Sequence, residues 1–142
     1  MMRVLLDTNI VLDLLLDREG FAEDAAAIWD ADARGEIEAF IAPITPVNVF
    51  FIARKLKGAE LARAYVAKLL GALHICTLDR QSLLAAEILP IADYEDAVQV
   101  ACAFFSDLDG IVTRDGDDFK NSPLPVFSPS EFLLHLKLSQ EE

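Results

Sequence analysis

Short apolar runs of strand length alternate with helix-length stretches along the chain, and this alternation limits the fold more than any other feature. Arg3 to Leu6 is a short apolar run ending at Asp7 and suits a buried strand. Thr8 to Leu16 then reads as a helix with apolar residues on nearly every face. The Ala-rich stretch from Phe21 to Arg34 follows, with Gly35 as its stop. Ala39 to Ala42 is a second strand, closed by Pro43. Thr45-Pro46 opens a helix that runs to about Lys57, since Pro is favoured at the first helical position. Glu60 to Leu70 is a further helix before Gly71. Leu73 to Leu78 is a third strand, and Gln81 to Leu89 a short helix before Pro90. Asp93 caps a helix reaching Phe105 and places Asp96 at its third position. Gly110 to Thr113 is a fourth strand, Asp115 to Asn121 a polar loop, and Leu124 to Phe127 a short fifth strand. Ser128-Pro129 caps a last helix through Leu136. The pattern predicts one α/β domain over residues 1–142, with a mostly parallel, roughly five-stranded sheet and right-handed crossovers.

Composition narrows the class. The 142 residues are 54% hydrophobic and 25% charged, enough apolar surface to offset the entropy of ordering. With 24 acidic and 12 basic residues the net charge is −12. That disfavours a protein holding duplex nucleic acid by a basic surface, and nucleic-acid chemistry here needs cations to bridge phosphate to carboxylate. Cys76 and Cys102 are far apart and outside any C-x-x-C pairing, which reads as two small buried hydrophobes in a reducing compartment. The N-terminal stretch MMRVLLDTN lacks the apolar core and cleavage site of a signal peptide. The longest apolar run is broken by Asp13 and Asp17 too soon to span a bilayer. The expectation is a soluble cytoplasmic protein with no membrane partner.

Ligands of open parallel sheets bind beyond the carboxyl ends of the strands, so position along the fold is informative. Asp7 follows the first strand, Asp115 follows the fourth, and Asp96 lies in the first turn of the helix preceding the fourth. Asp118 is three residues further on. Two carboxylates about 4 Å apart repel by roughly 4 kcal/mol at an effective dielectric near 20. Either one holds a proton or a divalent cation sits between them. Magnesium suits such a set: it takes oxygen ligands and needs only one or two carboxylates beside water and substrate phosphate. Each acid has a plainer reading. Asp7 is equally a helix cap by position, Asp93 more a cap than a ligand, and Asp96 a dipole partner. Asp115, Asp117 and Asp118 resemble an ordinary solvated loop, and Asp13, Asp17, Glu23 and Asp24 surface charges.

Taken in order, Leu5-Leu6-Asp7-Thr8-Asn9, Asp93-Tyr94-Glu95-Asp96-Ala97 and Ile111-Val112-Thr113-Arg114-Asp115 with Asp118-Phe119 resemble the PIN domain family. Lys120-Asn121-Ser122-Pro123, Val126 and Ser128-Pro129-Ser130-Glu131-Phe132 extend the likeness over essentially the whole chain. The nearest style is that of small bacterial VapC-like toxins of type II toxin–antitoxin pairs. The resemblance implies a three-layer, Rossmann-like α/β/α sandwich and a magnesium- or manganese-dependent ribonuclease. It assigns metal binding and catalysis to Asp7, Asp96 and Asp115, with Asp118 as a further ligand. Thr8 and Asn9 would order the Asp7 loop, with Thr113 also supporting. It also implies an antitoxin partner and a homodimer. The chain departs from the family at Asn48, where a Glu is usual early in the helix after the second strand. Asn offers a carbonyl oxygen but no charge, so a weakened or inactive RNA- or protein-binding module is the alternative.

Arg114 and Lys120 sit nearest the acids and are the expected phosphate contacts. Arg54, Lys55, Lys57, Arg63 and Lys68 on the middle helices are as well explained by solvation. Phe50, Phe51 and Tyr65 are candidates for stacking RNA bases, against the commoner fate of core packing. Trp29 is read as a packing anchor. A receiver-type phosphoacceptor domain expects paired acids after the first strand, but Thr8-Asn9 follow Asp7. A haloacid-type phosphatase expects an acid where Asn9 stands.

Overall fold

A computed structural model describes residues 1–141. Its strands are β1 (Met2–Leu6), β2 (Ile37–Ile41), β3 (His74–Ile75), β4 (Gly110–Val112) and β5 (Val126–Phe127). Its helices are α1 (Thr8–Leu15), α2 (Ala22–Ala33), α3 (Ile44–Lys57), α4 (Ala59–Ala72), α5 (Arg80–Ile88), α6 (Tyr94–Phe105) and α7 (Pro129–Gln140). The strands form one sheet in the order β3-β2-β1-β4-β5, and all four pairings are parallel. A receiver-type domain orders its strands 2-1-3-4-5, so this sheet excludes that class.

The period-two alternation of the strands divides the core. Val4 and Leu6 of β1, Ile37, Ala39 and Ile41 of β2 and Val112 of β4 join a core with residues of α1, α2, α3, α4 and α7. Leu5, Phe40 and Ile111 point the other way, into a core built with α5 and α6. The result is a three-layer α/β/α sandwich in one domain. The apolar excess of α1 is consumed by this packing, since Ile10, Val11, Leu12 and Leu15 are all buried. Both cysteines are buried and free, and burial pushes the Cys76 thiol up to about 11 and the Cys102 thiol to about 12.

Most boundaries follow the local signals. Gly58 separates α3 from α4 at φ 90°, a backbone state that costs glycine nothing. Ser128 caps α7 with a reciprocal Glu131 contact, a complete capping box. Gly71 does not end its helix: α4 runs through it to Ala72. The third strand is confined to His74–Ile75, because only Phe40 and Ile41 of β2 face it. The loop from Asp115 to Asn121 contains a 3₁₀ turn, Gly116–Phe119, whose Phe119 is buried. The last helix continues past Leu136 to Gln140.

Candidate functional site

β1 has β2 on one side and β4 on the other, so the strand order reverses at the β1–β4 seam. A crevice opens at the carboxyl ends of these two strands. Asp7 leaves β1 there, and its N–H donates to the Val112 carbonyl at 3.0 Å. Its side chain does not cap α1. Instead Oδ1 accepts from Gln99 Nε2 at 3.0 Å and Oδ2 accepts from the Thr113 hydroxyl at 2.8 Å. Thr113 Oγ1 in turn accepts the N–H of Asp115 at 3.0 Å. The two donors fix the Asp7 carboxylate with both oxygens engaged. Burial pushes its pKa up, and the charge of Asp115 adds to that, while the Gln99 and Thr113 hydrogen bonds pull it down.

Asp96 reaches the same place from the first turn of α6. Asp93 caps that helix by accepting the Asp96 N–H at 3.0 Å. Burial pushes the Asp96 carboxyl up to about 7, and the charges of Asp93, Asp7, Asp118 and Glu95 push in the same direction. Thr8 Oγ1 donates to Glu95 Oε1 at 3.3 Å and lies 2.9 Å from the buried Thr45 hydroxyl, a relay that ties α1, α3 and α6 together. A cleft of about 400 Å³ joins these groups, lined by Asp7, Asp93, Glu95, Asp96, Asp115 and Asp118 with Thr8, Asn9 and Asn48. Among the described residues no Lys or Arg lines it.

This donor set fits a hard divalent cation. It is made of oxygen ligands, carries up to six carboxylates and has no cationic side chain to neutralise them. Among the described residues, as placed, no three His, Cys, Asp or Glu side chains stand close enough to hold one ion together. The fit is therefore of the magnesium kind, in which one or two carboxylates hold an ion that keeps most of its water.

The remaining expected residues fall out unevenly. The Thr8 and Asn9 side chains are engaged elsewhere: Thr8 Oγ1 serves Glu95, while the Thr8 backbone N–H bonds the Asp7 carboxylate, and Asn9 Nδ2 donates to Asp115 Oδ2 at 3.3 Å. Asn48 lines the cleft from α3. Asp118 is exposed at its edge, and Lys120 lines an adjoining cavity that shares Asp93, Asp96 and Asp118 with it. Arg114, expected as a phosphate contact, is committed elsewhere. Its Nε and Nη2 donate to the two oxygens of Asp13 at 2.9 and 3.3 Å, and its guanidinium lies 4.1 Å from the Phe21 ring centre. Asp13, expected on the surface, is 1% exposed. Sequence reasoning also missed Gln99 and Glu95. Gln99 follows Asp96 by three positions on one face of α6, which is the signal that would have found it.

A family model described as PIN domain matches residues 3–117. The chain belongs to the PIN domain family. The matched region carries Asp7, Asp96 and Asp115, and Asp118 lies one residue beyond it. No curated protein matches the chain by sequence. Solved structures share this PIN fold at low identity. VapBC2 from Rickettsia felis, bound to a DNA fragment from its promoter, matches at 18% identity and a TM-score of 0.72, covering 89% of this chain and 98% of that one. A toxin–antitoxin complex from Klebsiella pneumoniae matches at 24% and 0.67, covering 89% and 97%. VapC20 of Mycobacterium tuberculosis, a Sarcin-Ricin loop cleaving toxin, matches at 13% and 0.67, covering 82% and 93%.

The raised carboxyl of Asp96 has a thermodynamic consequence for this PIN domain. Its folded pKa of about 7 lies above the unfolded value of 3.8, so between these values the folded state holds more protons. Stability contributed by this group is therefore present below about pH 4 and is lost as the pH rises to about 7, with no further change above. Asp7 acts in the same direction. In EDTA, Asp96→Asn is expected to raise the melting temperature at pH 8 relative to the parent and to leave it nearly unchanged at pH 4. Thermal unfolding at the two pH values checks this.

Proposed function

We propose that this PIN domain is a magnesium- or manganese-dependent endoribonuclease, the toxin of a toxin–antitoxin pair. The observation that carries the reading is one cleft at the strand-order reversal, lined by six carboxylates and, among the described residues, by no base. One or two of Asp7, Asp96 and Asp115 would hold the cation directly and the rest would meet it through its retained water, with Asp118 at the rim. Bound there, the ion supplies positive charge for a phosphodiester and lowers the pKa of a water that attacks it. Gln99 and Thr113 keep the Asp7 oxygens aimed, and the Thr45–Thr8 relay holds Glu95 beside Asp96. Phe51, 51% exposed at the cleft wall, offers a face for a splayed base, and Lys120 a charge for a flanking phosphate. Such an enzyme works in the cytoplasm, where RNA is. Among the described residues no helix is long and apolar enough to cross a membrane.

The cleaving activity of VapC20 and the complexes formed by the other neighbours support this reading. The partners proposed are RNA, an antitoxin and a second copy of the chain. An apolar groove of about 280 Å³ beside the cleft, lined by Pro46, Val47, Phe50 and Phe51, suits an antitoxin segment. Exposed Leu84, Ile88 and Phe104 suit a homodimer. Asn48 favours a second reading, a non-catalytic module that binds RNA or protein, because it faces the cleft without charge. Incubation of the purified protein with structured RNA separates the two. Cleavage that appears with Mn²⁺ or Mg²⁺ and disappears with EDTA supports the enzyme. Absence of both cleavage and Mn²⁺ binding supports the module.

A further inference from the structure

We propose that Asp13 is a positioning residue that fixes Asp115 by two routes at once. The inference rests on the reading of the cleft as a cation site. Asp13 lies on α1 with 1% of its side chain exposed, yet it accepts from two arginines. Arg114 binds it with two nitrogens, at 2.9 and 3.3 Å, and stacks over Phe21. Arg18 Nη1 binds it at 3.3 Å. Burying a carboxylate is costly unless it is paired, so this charge is kept where two guanidiniums meet it.

Both arginines lead to Asp115. Arg114 is the residue before it, so gripping the Arg114 side chain restrains the peptide from which Asp115 projects. Arg18 Nη1 also donates to Asn9 Oδ1 at 3.4 Å, and Asn9 Nδ2 donates to Asp115 Oδ2 at 3.3 Å. The guanidinium selects the Asn9 orientation, because a flipped amide would turn its NH₂ toward Arg18. The chain Asp13–Arg18–Asn9–Asp115 thus sets which way the amide proton points. Held from its backbone and from its carboxylate oxygen, Asp115 keeps its place over a polar loop that has few apolar anchors. The arrangement also explains why Arg114, one residue from the acids, does not neutralise them: its fork is spent on Asp13.

The test uses the purified full chain. Asp13→Asn keeps the size of the side chain and removes its charge. Arg18→Gln cuts one route at a half-exposed position and leaves the Arg114 pair intact. Mn²⁺ affinity is measured by calorimetry, and the Asn9 side-chain amide and Asp115 carboxyl shifts by NMR without metal. Asp13→Asn is expected to lower Mn²⁺ affinity by about 10-fold or more, as for other groups that orient a ligand. Both variants should move the Asn9 and Asp115 signals. Adding Arg18→Gln to Asn9→Ser should cost no more than Asn9→Ser alone, since the two act in one chain. A folded Asp13→Asn with unmoved signals and affinity within about twofold of the parent overturns the proposal. If Asp13→Asn does not fold, Arg18→Gln decides, and unmoved Asn9 and Asp115 signals overturn it. A parent protein that binds no Mn²⁺ refutes the cation reading instead, and the metal-free NMR signals still decide the positioning role.

Discussion

Asp7→Asn should abolish cation-dependent cleavage, by more than about 100-fold, without destabilising the protein. The size follows from comparison: groups that merely orient a metal ligand are worth about 10- to 100-fold, so the ligand itself exceeds them. The second half follows from what surrounds the side chain. Asp7 is 4% exposed, and burial makes its charge unfavourable. An Asn amide offers Gln99 Nε2 the same acceptor oxygen. Its NH₂ can donate to Thr113 Oγ1, whose hydroxyl now donates to Asp7. Two hydrogen bonds persist, and removal of the buried charge offsets the Thr113 hydroxyl proton left without its Asp7 acceptor. The melting temperature in EDTA at pH 8 is therefore expected to equal or exceed that of the parent. RNA cleavage with Mn²⁺ and a thermal melt on the same preparation check both halves. Retained activity in the variant would refute the role given to Asp7.

Phe119→Ala should cost about 3–5 kcal/mol, the usual range for emptying a buried aromatic site. Phe119 is 1% exposed and packs with Leu5 and Ile111 in the core on the α5–α6 side of the sheet. It is also the anchor of the 3₁₀ turn that carries Asp117 and Asp118. The Asp118 N–H donates to the Asp115 carbonyl at 2.9 Å, so the turn and the loop before it move together. Losing the ring thus loosens two acids as well as the core. Urea unfolding measures the first effect. The second appears as weaker Mn²⁺ binding at temperatures where the variant is fully folded. Phe119→Leu, which retains most of the volume, should lose less of both.

Much of this architecture could be read from local pattern. The apolar runs ending at Asp7 and Val112 are strands because residues buried on both faces need no polar alternation, and the sheet uses them at its centre. Caps at Asp93 and Ser128 act within four residues and are legible for that reason. Features set by distant partners were not. Asp13 looks like a surface charge until Arg18 and Arg114 fold over it, and Arg114 looks free until Asp13 claims it. β3 is short because of how little of β2 it faces, which His74–Ile75 themselves do not reveal. Gly71 reads as a stop, but the helix through it needs no positive φ there. The acids of the site were visible as types in an order. Their supporting amides and hydroxyls, Gln99 and Thr45, were hidden among apolar neighbours.

The central seam of the sheet has a consequence for the timing of synthesis. Thr113 and Asp7 meet across 106 positions of chain, and β4 is the fourth strand to be made. A growing polypeptide presents Asp7 to solvent well before Gln99 and Thr113, which hold its carboxylate, have been made. Until β4 has been translated and slotted beside β1, the two halves of the crevice do not coexist. Any chemistry that depends on them is absent from premature termination products and begins only when translation of this region is nearly complete.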